Sequence, residues 1–549
     1  MSRKKKSPRP REAATPLPQP ALRPVDPPGL RPLARNAGLA AILLLAAGLR
    51  CAWLDAVVGG FHSHNEGHYV LIAKNFFHGS PLRPTPDEGR TTFLETPPLY
   101  SYILHAVFRV TGVSILAARL VSIVSSLALV LATFFFSRKV FSESAGLWAA
   151  LIVAVSPVAV LTGRNIQTDS TMLLFVVAAL FFYRRAEDGS RADRIRSGVF
   201  AGLALFTKLF AAIAGAAVFA WELVTRTPGW LRDRTRWAAA AIALLLPGLF
   251  YGYHALRDFA SLRRDVAGGA AAATTFPKTP AEWGSIGLEA FWAFSPVIAL
   301  LLAAGVAAAL ARPSRATLFA LLPLSGFAVF YLFVHKHSYY LLTLLPFGAA
   351  LAGRLASRLR PPGLRVALAA TVALSGVFWS LLDVTSMKSG FVEFAQFGKT
   401  AAELPGPEHH ILVDREMNDS YEPVILLYDT KARLTVIDDT PAEPDGKLRL
   451  PQKDLYLLRF VPPQSQKPPA GWLFSRTRYG LHLPGATVLE AHPNPHFFRQ
   501  GRYFLEKDGG SFGFGRREFR VYPALLLLPV PPELALYRTP RGLEARPAN

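Results

Sequence analysis

Long apolar stretches fill roughly the first 385 residues of the chain and constrain its fold more than any other feature. A helix that crosses the hydrocarbon core of a bilayer needs about 20 apolar residues. The candidate stretches lie at about 37–56, 114–136, 143–161, 168–184, 195–207, 209–225, 236–255, 286–311, 316–334, 338–355 and 363–383. This pattern predicts a mainly α-helical, polytopic membrane helix bundle of about eleven spans.

Basic residues follow every second predicted span. The basic clusters lie at 138–139, 184–196, 226–236, 312–315 and 354–365. Loops rich in Lys and Arg stay in the cytoplasm, so the alternation places these loops and the N-terminus inside. The same alternation favours two short spans at 195–207 and 209–225 over one merged span, which would move the 226–236 cluster outside.

The formal net charge of +22 lies mostly in the N-terminal tail and in the inner loops. That placement is typical of topology determinants and of contacts with anionic lipids, and it argues against nucleic-acid binding. Residues 1–36 are rich in Pro, Arg and Lys, which predicts a disordered basic cytoplasmic tail. Cys51 is the one cysteine in the sequence, so no intrachain disulfide forms. We expect a multi-pass protein of a bacterial inner membrane.

Residues 386–549 follow the last predicted span and differ from the rest of the chain. Short β-like runs alternate there with Pro-rich turns, which predicts a small C-terminal α/β domain on the periplasmic side. The predicted membrane domain then covers 37–385 and includes a long outer loop at 57–113.

Three acidic residues stand out on the predicted outer side. Glu66 and Glu95 lie in the first outer loop, and Asp169 begins the fourth span. An acidic side chain beside the hydrocarbon core is costly, which makes it a candidate for function. The alternatives are a solvated loop position for the glutamates and a helix cap for Asp169.

Cationic and aromatic side chains approach the same face. Lys208 interrupts the apolar run between the fifth and sixth spans, where it either lines a site or extends its amine to the surface. The turn between spans nine and ten contains residue types that suit a phosphate group, namely His335, Lys336, His337, Tyr339 and Tyr340. A tyrosine pair alone is typical of an aromatic belt at a membrane interface.

Histidines on this face raise the question of a metal ion. His62, His64 and His68 lie in the first outer loop, but their spacing matches no common zinc motif. No cofactor is therefore assigned; a divalent metal stays an option, with its ligands unknown.

Carboxylates beside a cation-rich surface suit group transfer from a lipid phosphate. A carboxylate removes the proton of an acceptor hydroxyl, and cations stabilise the departing phosphate. A transporter or lipid flippase is the alternative from another class. It would require charges near the bilayer midplane and inverted repeats, and the sequence pattern indicates neither.

Short motifs in the first 350 or so residues carry a family resemblance. They are N-E-x-x-Y-x-x-I-A at 65–73, E-x-P-P-L at the start of 95–102, A-A-R-L at 117–120, S-P at 156–157, T-D at 168–169, T-K at 207–208 and H-x-Y-Y-L-L at 337–342. Their order and spacing resemble the protein-mannosyltransferase-like glycosyltransferases of the GT-C superfamily. Relatives include bacterial aminoarabinose transferase and the galacturonosyl transferases of lipopolysaccharide core.

The resemblance implies an inverting hexosyl- or pentosyltransferase. It would take a sugar from a polyprenyl-phosphate carrier and pass it to a glycan, lipid or protein acceptor on the extracytoplasmic face. The implied catalytic residues are Asn65, Glu66, Glu95 and Asp169. The implied ligands of the donor phosphate are Arg119, Arg164, Lys208, His335, Lys336, His337, Tyr339 and Tyr340.

Two positions depart from the family pattern. The family has Asp where this chain has Asn65, and an amide does not act as a base. Glu66 or Asp169 must then take that role, or the chain is an inactive relative that serves in binding or assembly. The family's Glu-Lys pair before the prolines is Glu95-Thr96 here, which removes one cation. The cations that would compensate are Arg119, Arg164, Lys208 and the basic residues of 335–337.

The alternation of basic loops predicts opposite sidedness for two serines. Single cysteines at Ser63 and Ser190, in a Cys51→Ala background, should react with a membrane-impermeant thiol reagent from opposite sides of the membrane. Labelling of both positions from the same side would contradict the predicted topology.

Overall fold

The computed structural model describes residues 32–52, 54, 63–85, 92–225, 231–272, 276–334 and 338–388, together with ten strands between 409 and 547. The helices of these residues are α1 (Pro32–Cys51), α2 (Ser63–Asn75), α3 (Leu99–Thr111), α4 (Ile115–Val140), α5 (Glu143–Val155), α6 (Pro157–Arg164), α7 (Asp169–Ala186), α8 (Arg191–Thr207), α9 (Ala212–Thr225), α10 (Arg234–Arg257), α11 (Phe259–Ala272), α12 (Pro280–Phe294), α13 (Pro296–Ala311), α14 (Arg315–Val334), α15 (Leu345–Ala356) and α16 (Pro362–Lys388). Two 3-10 segments, Leu209–Ala211 and Ser338–Leu344, precede α9 and α15.

The described helices confirm a multi-pass membrane protein. Six of them are long and apolar enough to cross a bilayer: α1, α4, α10, α14, α16 and the segment Tyr339–Ala356 that contains α15. Two bent pairs raise the number to eight if each pair is one span. The pair α5 and α6 bends by 62°, and the pair α12 and α13 bends by 111°.

The predicted number of about eleven spans exceeds the six to eight spans that the described helices can form. The stretches 168–184, 195–207 and 209–225 are helical, but α7 has 18 residues and α8 has 17. Each is shorter than the roughly 20 residues of a straight span, and α7 also carries Asp169, Arg184 and Arg185. The predicted span at 286–311 corresponds to the bent pair α12 and α13, because the chain turns at Ser295, which has a positive φ of 72°. The helix α1 begins at Pro32, so the end of the predicted tail is helical.

A buried arginine stabilises the break between α5 and α6. Pro157 lacks an N–H and ends the hydrogen-bond ladder of α5, which leaves carbonyl groups in its last turn without helical partners. The guanidinium group of Arg50, fully buried at the end of α1, donates to the carbonyls of Val153, Ala154 and Ala159 at 3.4, 2.9 and 3.3 Å. The carbonyl groups stabilise the buried charge of Arg50, and the guanidinium group supplies the hydrogen-bond donors that the break between α5 and α6 lacks.

Small residues bring α8 and α10 into close contact. Gly198 and Gly202 of α8 face Ala239 and Ala243 of α10, and a Cβ atom added at Gly198 would lie 2.5 Å from the carbonyl oxygen of Ala239. Small residues spaced four apart are the usual means by which membrane helices approach closely. This packing fixes the position of α8, which ends immediately before Lys208.

The described residues beyond 409 are all in strands. These are β1 (His409–Val413), β2 (Ala432–Val436), β3 (Leu455–Val461), β4 (Trp472–Phe474), β5 (Tyr479–His482), β6 (Thr487–Pro493), β7 (Lys507–Asp508), β8 (Ser511–Phe512), β9 (Glu533–Arg538) and β10 (Glu544–Pro547). Five form a mixed sheet in the order β2-β1-β3-β9-β6, where β1 pairs in parallel with β2 and β3. Parallel pairs need crossover connections, as expected for the predicted α/β domain. Any helices of that domain fall outside the described residues, and its boundaries stay a prediction.

The contact between α8 and α10 predicts a stability effect. Gly198→Ala should lower the stability of the detergent-purified protein by about 1–3 kcal/mol, because the added methyl group overlaps the backbone of Ala239. Gly248→Ala is the control in α10, since its Cβ meets nothing within 4 Å. Thermal unfolding measures both variants, and equal melting temperatures would contradict the packing described.

Candidate active site

Asp169 and Lys208 form a buried ion pair between two helices. The Nζ atom of Lys208 donates to Oδ1 of Asp169 at 2.9 Å and to Oδ2 at 3.2 Å. Asp169 is the first residue of α7, and Lys208 is the extended residue that ends α8 before the 3-10 segment Leu209–Ala211. The residues are 2% and 8% exposed, so each charge depends on the other for compensation. The break after Thr207 gives the lysine its direction toward α7.

Aromatic rings surround the ammonium group of Lys208. Its Nζ lies 4.8 Å from the ring centre of Tyr340, 5.5 Å from that of Tyr339 and 5.4 Å from that of Phe210. Cation–π attraction in a desolvated place stabilises the charged form of the amine. The structure therefore brings together four of the predicted site residues from three separate segments of the chain.

Glu95 lies within electrostatic range of Lys208. The residue is exposed, yet nearby protein displaces much of the bulk water, and this desolvation raises the pKa of its carboxyl group. Lys208 opposes the shift and Asp265 adds to it, which places the carboxylate within electrostatic range of both. The backbone N–H of Leu94 donates to Asp265 at 2.8 Å, and the Tyr251 hydroxyl donates to the Leu94 carbonyl at 3.2 Å. Thus α10 and α11 hold the loop that presents Glu95.

Tyr69 joins the same group from α2. Burial raises the pKa of its hydroxyl, Lys208 lowers it and Asp169 raises it. The nearby side chains of Thr168 and Thr96 also lower the pKa of this hydroxyl. Thr96 therefore lies close to a residue of the candidate site. Tyr69 is not among the predicted site residues, although it is the tyrosine of the N-E-x-x-Y motif.

Glu66 is buried and bound on both carboxylate oxygens. Arg119 donates from Nε and Nη2 at 3.3 Å each, and the backbone N–H of Ile166 donates at 3.0 Å. Arg119 also donates to the Leu54 carbonyl at 2.9 Å. These bonds join α2, α4 and the segment that precedes Asp169. Glu66, predicted as a base, and Arg119, predicted as a phosphate ligand, are thus bound to each other in a place without solvent exposure.

The structure describes only some of the remaining predicted site residues. Arg164 is buried at the end of α6, and Asn65 lies in α2 with its side chain outside the described part of the structure. His335, Lys336 and His337 lie outside the described residues. His68 is buried and meets the Phe93 ring edge-on at 4.2 Å between ring centres. Among the described residues, no group of three or more His, Cys, Asp or Glu is placed to hold a metal ion.

Glu289 is a further buried acid that is not among the predicted site residues. Glu289 of α12 accepts a hydrogen bond from the Tyr331 hydroxyl of α14 at 2.8 Å. It lies within the predicted span at 286–311, where an acid inside an apolar run is itself a signal for a special role. Asp265 was missed for a different reason, because it is ordinary in sequence and acquires its place only through the fold.

The buried pair of Glu66 and Arg119 predicts a large stability effect. Glu66→Gln should destabilise the protein by about 3–5 kcal/mol, because Arg119 then keeps a buried charge without its partner. Glu143→Gln is the matched control, since that glutamate pairs with Arg35 at a position where both side chains are more than 20% exposed. The control should cost about 0–1 kcal/mol. Equal losses in thermal unfolding would show that Glu66 is not a structural anchor.

The chain matches one family model. Residues 95–249 match the model described as dolichyl-phosphate-mannose-protein mannosyltransferase. The matched segment includes Glu95, Arg119, Asp169 and Lys208. No curated protein matches the chain significantly in sequence.

Solved structures share the fold of the chain. ArnT from Cupriavidus metallidurans, bound to undecaprenyl phosphate, has a TM-score of 0.54 and 17% identity over 74% of this chain and 86% of ArnT. The oligosaccharyltransferase AglB from Archaeoglobus fulgidus, in complex with an inhibitory peptide and a dolichol-phosphate, has a TM-score of 0.54 and 11% identity. That match covers 77% of this chain and 69% of AglB. Residues 95–249 thus match the dolichyl-phosphate-mannose-protein mannosyltransferase family within a chain that has the fold of ArnT and AglB, which confirms the resemblance to the GT-C glycosyltransferases.

Proposed function

We propose that this protein is a membrane glycosyltransferase that takes a sugar from a polyprenyl-phosphate carrier. The acceptor is an envelope glycan, lipid or protein, and the transfer inverts the configuration of the sugar. The observation that carries the proposal is the buried pair of Asp169 and Lys208, with Tyr339 and Tyr340 around the amine and Glu95 beside it. The family match and the carrier lipids bound to ArnT and AglB support it.

Lys208 is the proposed anchor of the donor phosphate. Its ammonium group is held by Asp169 and by the tyrosine rings, so it needs little reorganisation when a phosphate arrives. A fixed positive charge in a low-dielectric site stabilises the charge that develops on a departing phosphate. Arg164, His335, Lys336 and His337 belong to the same proposal as further cations. We assign Arg119 the role of holding Glu66.

Glu95 is the carboxylate best placed to receive the proton of the acceptor. Glu66 and Asp169 are buried and bound to cations, whereas Glu95 is exposed. The acceptor oxygen bonds to the anomeric carbon of the sugar, the bond from that carbon to the phosphate oxygen breaks, and the acceptor proton passes to the carboxylate. The polyprenyl phosphate leaves with the bonding electron pair. Glu66 and Asp169 stay the alternatives, and Asn65 contributes an amide that donates or accepts hydrogen bonds.

The proposed place of the reaction is the extracytoplasmic face of a bacterial inner membrane. The positive-inside pattern supports this orientation, with the N-terminus in the cytoplasm and the C-terminal domain in the periplasm.

The proposed roles predict a loss of transfer without a loss of fold. Purified protein given a polyprenyl-phosphate sugar and an envelope extract should release polyprenyl phosphate, and Glu95→Gln should slow this release by about 10²–10⁴-fold. Asp169→Asn should also slow it, since Lys208 loses its partner. Asp258→Asn is the control, because an asparagine still accepts the hydrogen bond from the Ser261 N–H that begins α11. Wild-type release by Glu95→Gln would assign the base to another acid.

The raised pKa of Glu95 predicts a pH profile. A base acts in its ionised form, so activity should rise with pH through a pKa above the ordinary glutamate value. The acid limb of kcat/KM should therefore lie above that value and should disappear in Glu95→Gln. An acid limb that is unchanged in this variant would show that another group titrates.

A further inference from the structure

A cavity lies between α7, α8, α9 and α10. Its volume is about 500 Å³, in the range of about 300–1,000 Å³ that holds small ligands. Small residues on the facing helices leave this space, among them Ala201, Ala204, Ala214, Gly215, Ala240 and Ala243. The cavity is therefore a groove that four helices form without filling it with side chains.

The walls of this groove are apolar over most of their length. Phe219, Trp237 and Leu244 line it and are 54%, 57% and 62% exposed, so the groove opens on the outer surface of the bundle. Its wall α10 is long and apolar enough to cross the membrane. An opening at that depth meets hydrocarbon rather than water. An alkyl chain fills such a groove through dispersion contacts that water does not supply.

The charged lining residues are Arg194, Glu222 and Arg236, and all three lie at one end. Arg236 pairs with Glu222 at 2.7 Å, and Arg194 pairs with Asp233. Arg232 and Arg234 are exposed next to this end. Glu187 and Asp193 also lie near this end and pair with Arg184, Arg185 and Arg196, so the arginines there outnumber the acids and leave an excess of positive charge. A basic cluster at the membrane surface attracts anionic lipid headgroups.

The charged end of the groove is the end that lies farther from Lys208. The helix α8 runs from Arg191 near the charged end to Thr207, the residue before Lys208. A carrier lipid with its phosphate at Lys208 would enter from the opposite leaflet. A lipid whose headgroup lies at the charged end of this groove therefore differs from the polyprenyl-phosphate donor of the proposed function.

We propose that this groove binds one acyl chain of an anionic phospholipid, whose phosphate lies against the basic end formed by Arg194, Arg232, Arg234 and Arg236. The lipid belongs to the leaflet opposite the candidate active site. It packs against α8, the helix that presents Lys208, and so acts as a structural ligand of the membrane domain.

Native mass spectrometry of the full-length protein tests the proposal. The protein, in detergent with equal amounts of phosphatidylglycerol and phosphatidylcholine of the same acyl chains, should retain one phosphatidylglycerol in preference. Gly215→Phe should reduce this occupancy by at least about tenfold, because Gly215 lines the groove and its Cβ meets nothing within 4 Å. Gly248→Phe is the matched control, since it also has open space but does not line the groove.

A second measurement tests recognition of the lipid headgroup, and it does not depend on whether the Gly215→Phe variant folds. Replacing the exposed Arg232 and Arg234 by glutamine should lower the preference for phosphatidylglycerol over phosphatidylcholine and leave the melting temperature unchanged. Equal retention of the two lipids by the wild type would overturn the proposal. So would full retention by Gly215→Phe, or displacement of phosphatidylglycerol by an equimolar polyprenyl phosphate. Loss of transfer activity in Glu95→Gln with lipid retention intact would leave the two proposals separate.

Discussion

The compensation of buried charge is the constraint on which the membrane domain depends. Ionised groups inside an apolar bundle are tolerated only with partners, and three such groups lie along the path from α1 to α8. Arg50 satisfies the carbonyls at the break of α5, Arg119 binds Glu66, and Lys208 binds Asp169. Each contact joins segments far apart in the sequence. Together they fix the short segment between α6 and α7, and with it the carboxylate that opens α7.

The helices follow from a related constraint, because polar backbone groups in lipid also need partners. Apolar stretches become spans because a helix satisfies its own backbone groups in lipid. Proline and polar residues interrupt the helices, as at Pro157, Ser295 and Lys208, and a break exposes backbone groups or side chains to a neighbour. At the candidate site the break at Lys208 meets Asp169 and the 3-10 segment Ser338–Leu344. The irregular parts of the bundle are therefore the parts that bring charged and polar side chains together.

Much of this arrangement could be predicted from the sequence, because hydropathy and charge act locally. The helical stretches, and the choice of Asp169, Lys208 and the tyrosine pair as candidates, follow from residue types that are costly or unusual where they stand. The number of straight spans did not follow, because α7, α8 and α9 are short and the chain turns at Ser295. The engagement of Glu66 with Arg119 did not follow either, since their separation of 53 residues leaves no local signal. The contact of Asp265 with the loop of Glu95 could not be predicted for the same reason, since 171 residues separate it from Leu94.

The position of Arg50 has a consequence for the first helix. A leading hydrophobic helix is often regarded as an exchangeable membrane anchor, useful for insertion and little else. In this chain α1 supplies the donors for the carbonyls of Val153, Ala154 and Ala159, and its Arg50 also donates to the Ser126 hydroxyl at 2.8 Å. A foreign span of equal length and hydropathy would insert the protein and leave those groups without donors. The helix α1 is thus an internal part of the membrane domain, because its Arg50 binds groups of α4, α5 and α6.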